Sequence, residues 1–148
     1  MAEGILHQAL STAQSEFERA MVLDNLAELF IRQGNLSEAE ALARSAEEAA
    51  LRGGSPRALA EIYTRLGKIF RLRGDANGVT FFEKAVEICR QRRYPHSEAN
   101  AYLEYGLFRR LHGDNEEART YLERAVQLFG AVGAARLQRV AEDQLAQL

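Results

Sequence analysis

What this chain of 148 residues has little of already narrows its class. It holds one cysteine, Cys89, so an internal disulfide is excluded. Val86, Ile88 and Arg90 beside it suggest a small packing residue on a helix, and no placed base is visible that would activate its thiol. No apolar run approaches the roughly 18 residues that a membrane helix needs, and the segment Met1–Leu10 has neither the basic start nor the long apolar stretch of a signal peptide. A soluble cytoplasmic protein is expected. Histidine is scarce and scattered: His7, His96 and His112 have no partner at ligand spacing, so no metal site is expected. A glycine-rich phosphate loop, a nucleophile elbow and a metal-binding His-Glu pair are all missing, and Gly53-Gly54 reads as a breaker rather than a cradle. Neither an enzyme nor a cofactor is expected.

What is there is ordinary in amount and unusual in order. The chain is 47% hydrophobic and 27% charged, which suits one folded domain and argues against disorder. The net charge is −2, but residues 1–51 carry nine acids and three bases, residues 52–112 six acids and twelve bases, and residues 113–148 six acids and four bases. An acidic front thus precedes a basic middle, an asymmetry able to steer a charged partner.

Apolar residues recur with helical spacing along the whole chain. Ile5, Leu6, Ala9, Leu10 and Ala13 mark a short amphipathic helix within residues 4–15. Phe17, Met21, Leu23, Leu26, Ala27, Phe30 and Ile31 mark a second, which Gly34 ends. Asn35 followed by Glu38 resembles a capping box and opens a third, with Leu36, Ala39, Leu42, Ala43, Ala46, Ala49 and Ala50 inside. Small side chains of that kind allow a neighbouring helix to approach closely. Gly53, Gly54, Ser55 and Pro56 break it.

The pattern then repeats. Tyr63, Leu66, Gly67 and Phe70 precede the turn Gly74-Asp75, and Phe81, Phe82, Ala85, Val86 and Ile88 follow it. Tyr102, Tyr105, Gly106 and Leu107 precede Gly113-Asp114, and Ala118, Tyr121, Leu122, Ala125, Val126 and Leu128 follow. A last amphipathic helix carries Leu137, Val140, Ala141, Gln144, Leu145 and Leu148. The registers agree: Gly34, Gly74 and Gly113 are 40 and 39 residues apart, Pro56 and Pro95 are 39 apart, and Ala46, Ala85 and Ala125 are 39 and 40 apart. From turn glycine to alanine the interval is 12 in the outer copies and 11 in the central one, so the turn through Gly78 must be built differently.

These residues resemble the tetratricopeptide repeat family, whose signature sets an aromatic, Leu-Gly and a second aromatic in one helix and Ala, aromatic, Ala and Pro after it. Tyr63, Leu66, Gly67, Phe70, Phe82, Ala85 and Pro95 carry the likeness in the central copy. Tyr102, Gly106, Ala118 and Ala125 carry it in the third, and Leu26, Ala27, Phe30, Ala39, Ala46 and Pro56 in the first. The longer period resembles the long-helix variants of bacterial regulators and motor-protein light chains. Departures are Gly78 in place of an alanine, Arg109 in place of an aromatic, and Ala27 in place of the glycine.

The resemblance implies an all-α fold: a helical-hairpin repeat solenoid wound as a right-handed α-α superhelix. Three repeats, at residues 16–54, 55–94 and 95–133, would lie between a partial N-terminal helix at 1–15 and a C-terminal capping helix at 134–148. It also implies a non-catalytic scaffold that binds a peptide or protein segment in a concave groove. Carried over by register, the groove lining is Met21, Asp24, Glu28 and Ile31, then Glu61, Thr64, Lys68 and Arg71, then Asn100, Leu103, Leu107 and Arg110. Asp24 and Glu28 stand where the family's clamp for a terminal carboxylate needs basic or amide residues, so that clamp is not expected. The charge order suggests a partner with a basic stretch facing Asp24 and Glu28 and an acidic one facing Lys68, Arg71 and Arg110.

Other readings remain. The chain can be a regulatory or sensor part of a larger bacterial signalling or transcription-regulating protein. Its N-terminal helix looks like the second half of a hairpin, which leaves a stacking face of Ile5, Leu6 and Leu10 open to self-association or to an upstream repeat. Leu103, Leu107 and Leu111 give the third first-helix a second apolar face, suited to packing by the final helix or to a hydrophobic peptide. Nucleic acid would have to use Arg71, Arg73, Arg90, Arg92, Arg93, Arg109 and Arg110, and the acidic flanks argue against it.

Overall fold

Left-handed turns divide the chain into helices. Gly34, Gly74 and Gly113 have φ of 80°, 72° and 83°, the conformation in which a glycine releases the last carbonyls of one helix without a steric penalty. The computed structural model describes residues 2–148, and among them the chain forms eight α-helices and no strand. They are α1 (Ala2–Thr12), α2 (Glu16–Arg32), α3 (Leu36–Gly53), α4 (Pro56–Arg73), α5 (Val79–Arg92), α6 (Pro95–Leu111), α7 (Asn115–Ala131) and α8 (Ala135–Ala146), with a single 3₁₀ turn, Ala76–Gly78, before α5. Among the described residues no helix is long and apolar enough to cross a membrane.

Helix starts follow local hydrogen bonding. The side chains of Ser15, Asn35, Ser55 and Asp114 accept from the amides of Glu18, Glu38, Ala58 and Glu117. Only half of the capping box at Asn35 is realised: the Asn35 amide donates to the Phe30 carbonyl at 2.9 Å, closing the preceding helix instead of bonding Glu38. At the second kind of boundary Gly54 and Gly133 are left-handed, and the residue one period from each is Arg93, also left-handed at φ 58°. It is the one non-glycine residue with positive φ among the described residues, a position where an L side chain is strained.

Consecutive helices pair antiparallel. Arg52 Nε lies 3.2 Å from Glu16 Oε2, joining the end of α3 to the start of α2. Phe70 meets Phe81 edge-on across the α4–α5 turn, and His96 meets Phe129 from the start of α6 to the end of α7. First helices of neighbouring hairpins lie side by side, α2 against α4 and α4 against α6. Their contacts keep one register: Asp24 with Arg65 and Glu28 with Lys68, 41 and 40 residues apart, so these helices run parallel.

Inside each hairpin, side-chain volumes alternate at the helix crossing. Ala27 and Ala43 are fully buried at the position that becomes Gly67 with Phe82 in the next copy and Gly106 with Leu122 in the third. A Cβ on Gly67 would sit 2.6 Å from the Phe82 ring, and one on Gly106 would sit 2.7 Å from Leu122 Cγ. Phe82 cannot retreat, because its ring stacks on Tyr105 at 5.1 Å and packs on Phe108 at 5.5 Å in the following hairpin. Register-equivalent aromatics also pair in both later hairpins, Tyr63 with Phe81 and Tyr102 with Tyr121.

The shortened central turn explains Gly78. Asp75 caps Asn77, the chain makes one 3₁₀ turn, and α5 begins so close to α4 that a Cβ on Gly78 would lie 2.8 Å from Phe70 Cβ. Arg109, in the place of an aromatic, lays its guanidinium over the Tyr105 ring at 5.2 Å and sets Nε 2.9 Å from Glu117. Two expected inner residues face outward instead: Phe17 is 47% exposed at the first turn of α2, where the α3 residue beside it is Gly53, which has no side chain to cover the ring, and Val140 is exposed on α8.

Gly67→Ala gains about 1 kcal/mol of helix propensity and loses more to overpacking, typically 1–3 kcal/mol. The expected outcome is a net loss on chemical denaturation, with Phe82→Leu in the same chain recovering part of it through a favourable coupling energy. Equal stability of Gly67→Ala and the parent would contradict this account of the crossing.

Candidate functional site

The parallel first helices present one face each to a common groove. At its centre lies a cavity of about 310 Å³ lined by Glu28 from α2, by Glu61, Thr64, Arg65 and Lys68 from α4, and by His96, Ser97, Asn100 and Glu104 from α6. Three successive repeats therefore contribute to one concavity, because the period of 39 or 40 residues returns equivalent positions to the same face.

Five residues placed in the lining by register are in this cavity: Glu28, Glu61, Thr64, Lys68 and Asn100. Thr64 is nearly buried, and its hydroxyl donates to the Ala60 carbonyl at 3.0 Å. Arg71, Leu107 and Arg110 line a second cleft beside it, with Leu72 and Leu111, of about 480 Å³. Asp24, Ile31 and Leu103 do not line the groove. Leu103 is 6% exposed and packs with Leu122, Phe129 and Ala141, because α8 closes over that stretch of α6. Ile31 belongs to the core between α2, α3 and α4. Met21 is half-buried against the same core.

Asp24 is 2% exposed and fully engaged. Arg65 grips it with two parallel bonds, Nε to Oδ1 and Nη2 to Oδ2, each 3.1 Å, and reaches Glu28 with Nη1. Lys68 adds a contact to Glu28 at 3.4 Å. On the other side of the groove Arg71 Nη2 and Nε bind Glu104 Oε2 at 2.9 and 3.2 Å. The order of charge along the sequence is therefore not the charge offered to a partner: the acids of α2 are neutralised by the bases of α4, and Arg71 by the acid of α6. The expectation of a basic stretch facing Asp24 and an acidic one facing Lys68 is corrected on that ground.

The carboxyls of the cavity differ in environment. Burial raises the Glu28 pKa, but Arg65, Lys68 and Arg32 outweigh it and hold the group below its ordinary 4.5. Burial together with the negative field of Asp24 raises Glu61 above 4.5, against the weaker pull of Arg57, Arg65 and His96. Burial lowers and Asp24 and Glu28 raise the Arg65 guanidinium, with a net upward shift that keeps it charged. Cys89 is buried away from the groove, and its thiol is pushed up to about 12 by burial, then by Glu98 and Glu61. That suits a packing residue rather than a nucleophile.

Register reading missed Arg65, Glu104, His96 and Ser97. Arg65 and Glu104 occupy one repeat position, which is Asn25 in the first copy. Its changing charge, neutral then positive then negative, was the available signal, since each charge there is opposite to one offered by the preceding first helix, Asp24 and Glu28 for Arg65 and Arg71 for Glu104.

Models of the tetratricopeptide repeat match the chain over residues 58–131, half of its length, and over residues 19–46. No protein of curated function matches it.

Two charge deletions in this groove should act with opposite sign. Arg65→Met leaves Asp24 buried and unpaired, and should lower stability by about 3 kcal/mol. Adding Asp24→Leu should restore most of that loss, and a Tm unaltered by the single substitution would refute the pairing. Glu61 has a folded-state pKa above its unfolded value, so its ionisation opposes folding at neutral pH, and the penalty fades as pH falls through the folded value. Glu61→Gln should therefore raise Tm at pH 7, by an amount that shrinks on acidification and vanishes below about 4.5. A constant gain between pH 7 and pH 4 would assign it to another cause.

Proposed function

The chain belongs to the tetratricopeptide repeat family, and from that premise we propose that it is a non-catalytic binding module that holds a segment of another cytoplasmic protein in the groove of α2, α4 and α6. Repeats of this family generally mediate contacts between proteins and are typically non-catalytic. The observation that carries the reading is the central cavity, built by three successive first helices and lined almost wholly by polar side chains with hydrogen-bonding capacity to spare: Ser97, Asn100 and Glu61. A peptide backbone needs donors and acceptors of that kind along its length. Protein is favoured over nucleic acid because the arginines nearest the groove are engaged by carboxylates, Arg71 with Glu104, Arg73 with Glu40 and Arg109 with Glu117, which leaves no continuous basic track along it.

Asn100→Trp, on an exposed position of α6 that lines the cavity, should fill the groove without disturbing the core. Affinity capture from the native host followed by mass spectrometry should then lose the proteins retained by the parent chain. Retention of the same proteins at the same abundance would place the binding surface elsewhere.

A second reading, a regulatory part of a larger signalling or transcription-regulating assembly, is favoured by the open face of α1. That helix packs on α2, and Ile5 is left 66% exposed with Leu6 half-buried beside it. An apolar surface of this sort suits stacking on a second copy or on a further repeat. Light scattering over a dilution series should show mass rising with concentration, abolished by Ile5→Glu. A concentration-independent monomer would remove self-association through α1.

A further inference from the structure

The ion pairs of the groove consume Asp24, Glu28, Arg65, Lys68, Arg71 and Glu104 and leave two charges over. Glu61 carries no ion pair or hydrogen bond among the described residues, and it stands in the cavity near the start of α4, beside Ser97 and Asn100. Arg110, near the end of α6, carries no carboxylate, and its single bond is a long one, Nη1 to the Gln144 carbonyl at 3.5 Å. Around Arg110 the surface turns apolar: Leu72 is 45% and Leu111 54% exposed, and with Leu107 and Arg71 they form the second cleft. These leucines are not scattered. Leu72 and Leu111 are one repeat apart in sequence and meet at the same rim of the groove.

Resting on the groove reading above, we propose that the partner is an extended segment bearing a lysine or arginine for Glu61 and, five or six residues away, a leucine-like side chain next to an aspartate or glutamate for the cleft at Arg110. The spacing follows from helix geometry. Glu61 is level with Asn100 by register, and ten residues of α6 separate Asn100 from Arg110, about 15 Å along the axis. Neighbouring first helices lie about 10 Å apart. The diagonal is about 18 Å, which an extended chain covers in five or six residues. The partner's cation would add a direct ion pair to the pull of Arg57, Arg65 and His96, which burial and Asp24 outweigh at Glu61. Its carboxylate would meet the one guanidinium of the cleft without an acidic partner, and its apolar side chain would cover Leu72 and Leu111. A groove whose other charges are already satisfied discriminates through these two points, since a like charge at either is repelled and an absent one leaves the protein's own group unpaired.

The test is selection from a phage-displayed library of random twelve-residue peptides, against the parent chain and against Glu61→Lys and Arg110→Glu, with circular dichroism melts to confirm that each variant folds. Glu61→Gln serves as a milder variant if the reversal disturbs folding. The parent should enrich peptides with a basic residue five or six positions from an apolar-acidic pair. Glu61→Lys should convert the basic preference to an acidic one and leave the apolar-acidic pair, and Arg110→Glu should do the converse. A selected peptide should bind the unmatched variant about tenfold more weakly than the parent. Peptides that shift the amide signals of Ser97 and Asn100 yet lack this pattern would overturn the inference while keeping the groove as the binding site. Peptides that shift only signals outside the groove would overturn both, and so would a library that yields no enriched sequence.

Discussion

The molecule depends on how closely two helices of a hairpin approach at their crossing. One position from each helix meets there, and its combined volume is set differently in each copy: two alanines, Ala27 and Ala43, then Gly67 under Phe82, then Gly106 under Leu122. The glycine in the central copy does more than relieve a contact within its own hairpin. It lets the Phe82 ring lie deep enough to stack on Tyr105 and pack on Phe108 of the next one. Packing inside a repeat and packing between repeats are thus one problem, which is why a hairpin of this kind gains its stability from its neighbours.

Once the first helices are parallel and one period apart, their charges must either repel or pair across the repeat boundary. Here they pair. Arg65 reaches back to Asp24 and Glu28, and Arg71 reaches forward to Glu104, so the concave face is a run of charge-compensated rungs. Buried pairs of this sort add little net stability over apolar residues, but removing one member is severe. Their effect on the groove lies in what they withhold: its paired charges are close to neutral together, and Glu61 and Arg110 are left unmatched.

Most of the fold was legible because it is periodic. Turn glycines, boundary prolines and buried alanines return every 39 or 40 residues, and even the odd interval at Gly74–Ala85 marked the place where the chain makes a 3₁₀ turn. Residues at the ends of helices were harder to place. Phe17 has the spacing of a core residue and is exposed, because amphipathic spacing fixes the face of a helix and not the side chain its neighbour brings there, which at this turn is Gly53. Leu103 failed the other way: its register position is polar in the earlier copies, Asp24 and Thr64, yet it is buried in all three, in the last against Leu122, Phe129 and Ala141.

The sequence by itself determined the class, the number of hairpins, the turns and the small residues at each crossing, but only part of the groove face, since Asp24, Ile31 and Leu103 are buried instead. These are local or periodic properties, carried by backbone propensity and by residue size at fixed spacing. Only the tertiary structure decided which charges of that face are available. Pairing between Arg65 and Asp24, or between Arg71 and Glu104, depends on the lateral offset of two helices and on side-chain reach, and neither is periodic in the chain. For that reason the acids of α2 and the bases of α4, an acidic front and a basic middle in the linear order, pair across the groove, and linear order does not show that Glu61 and Arg110 stay unpaired.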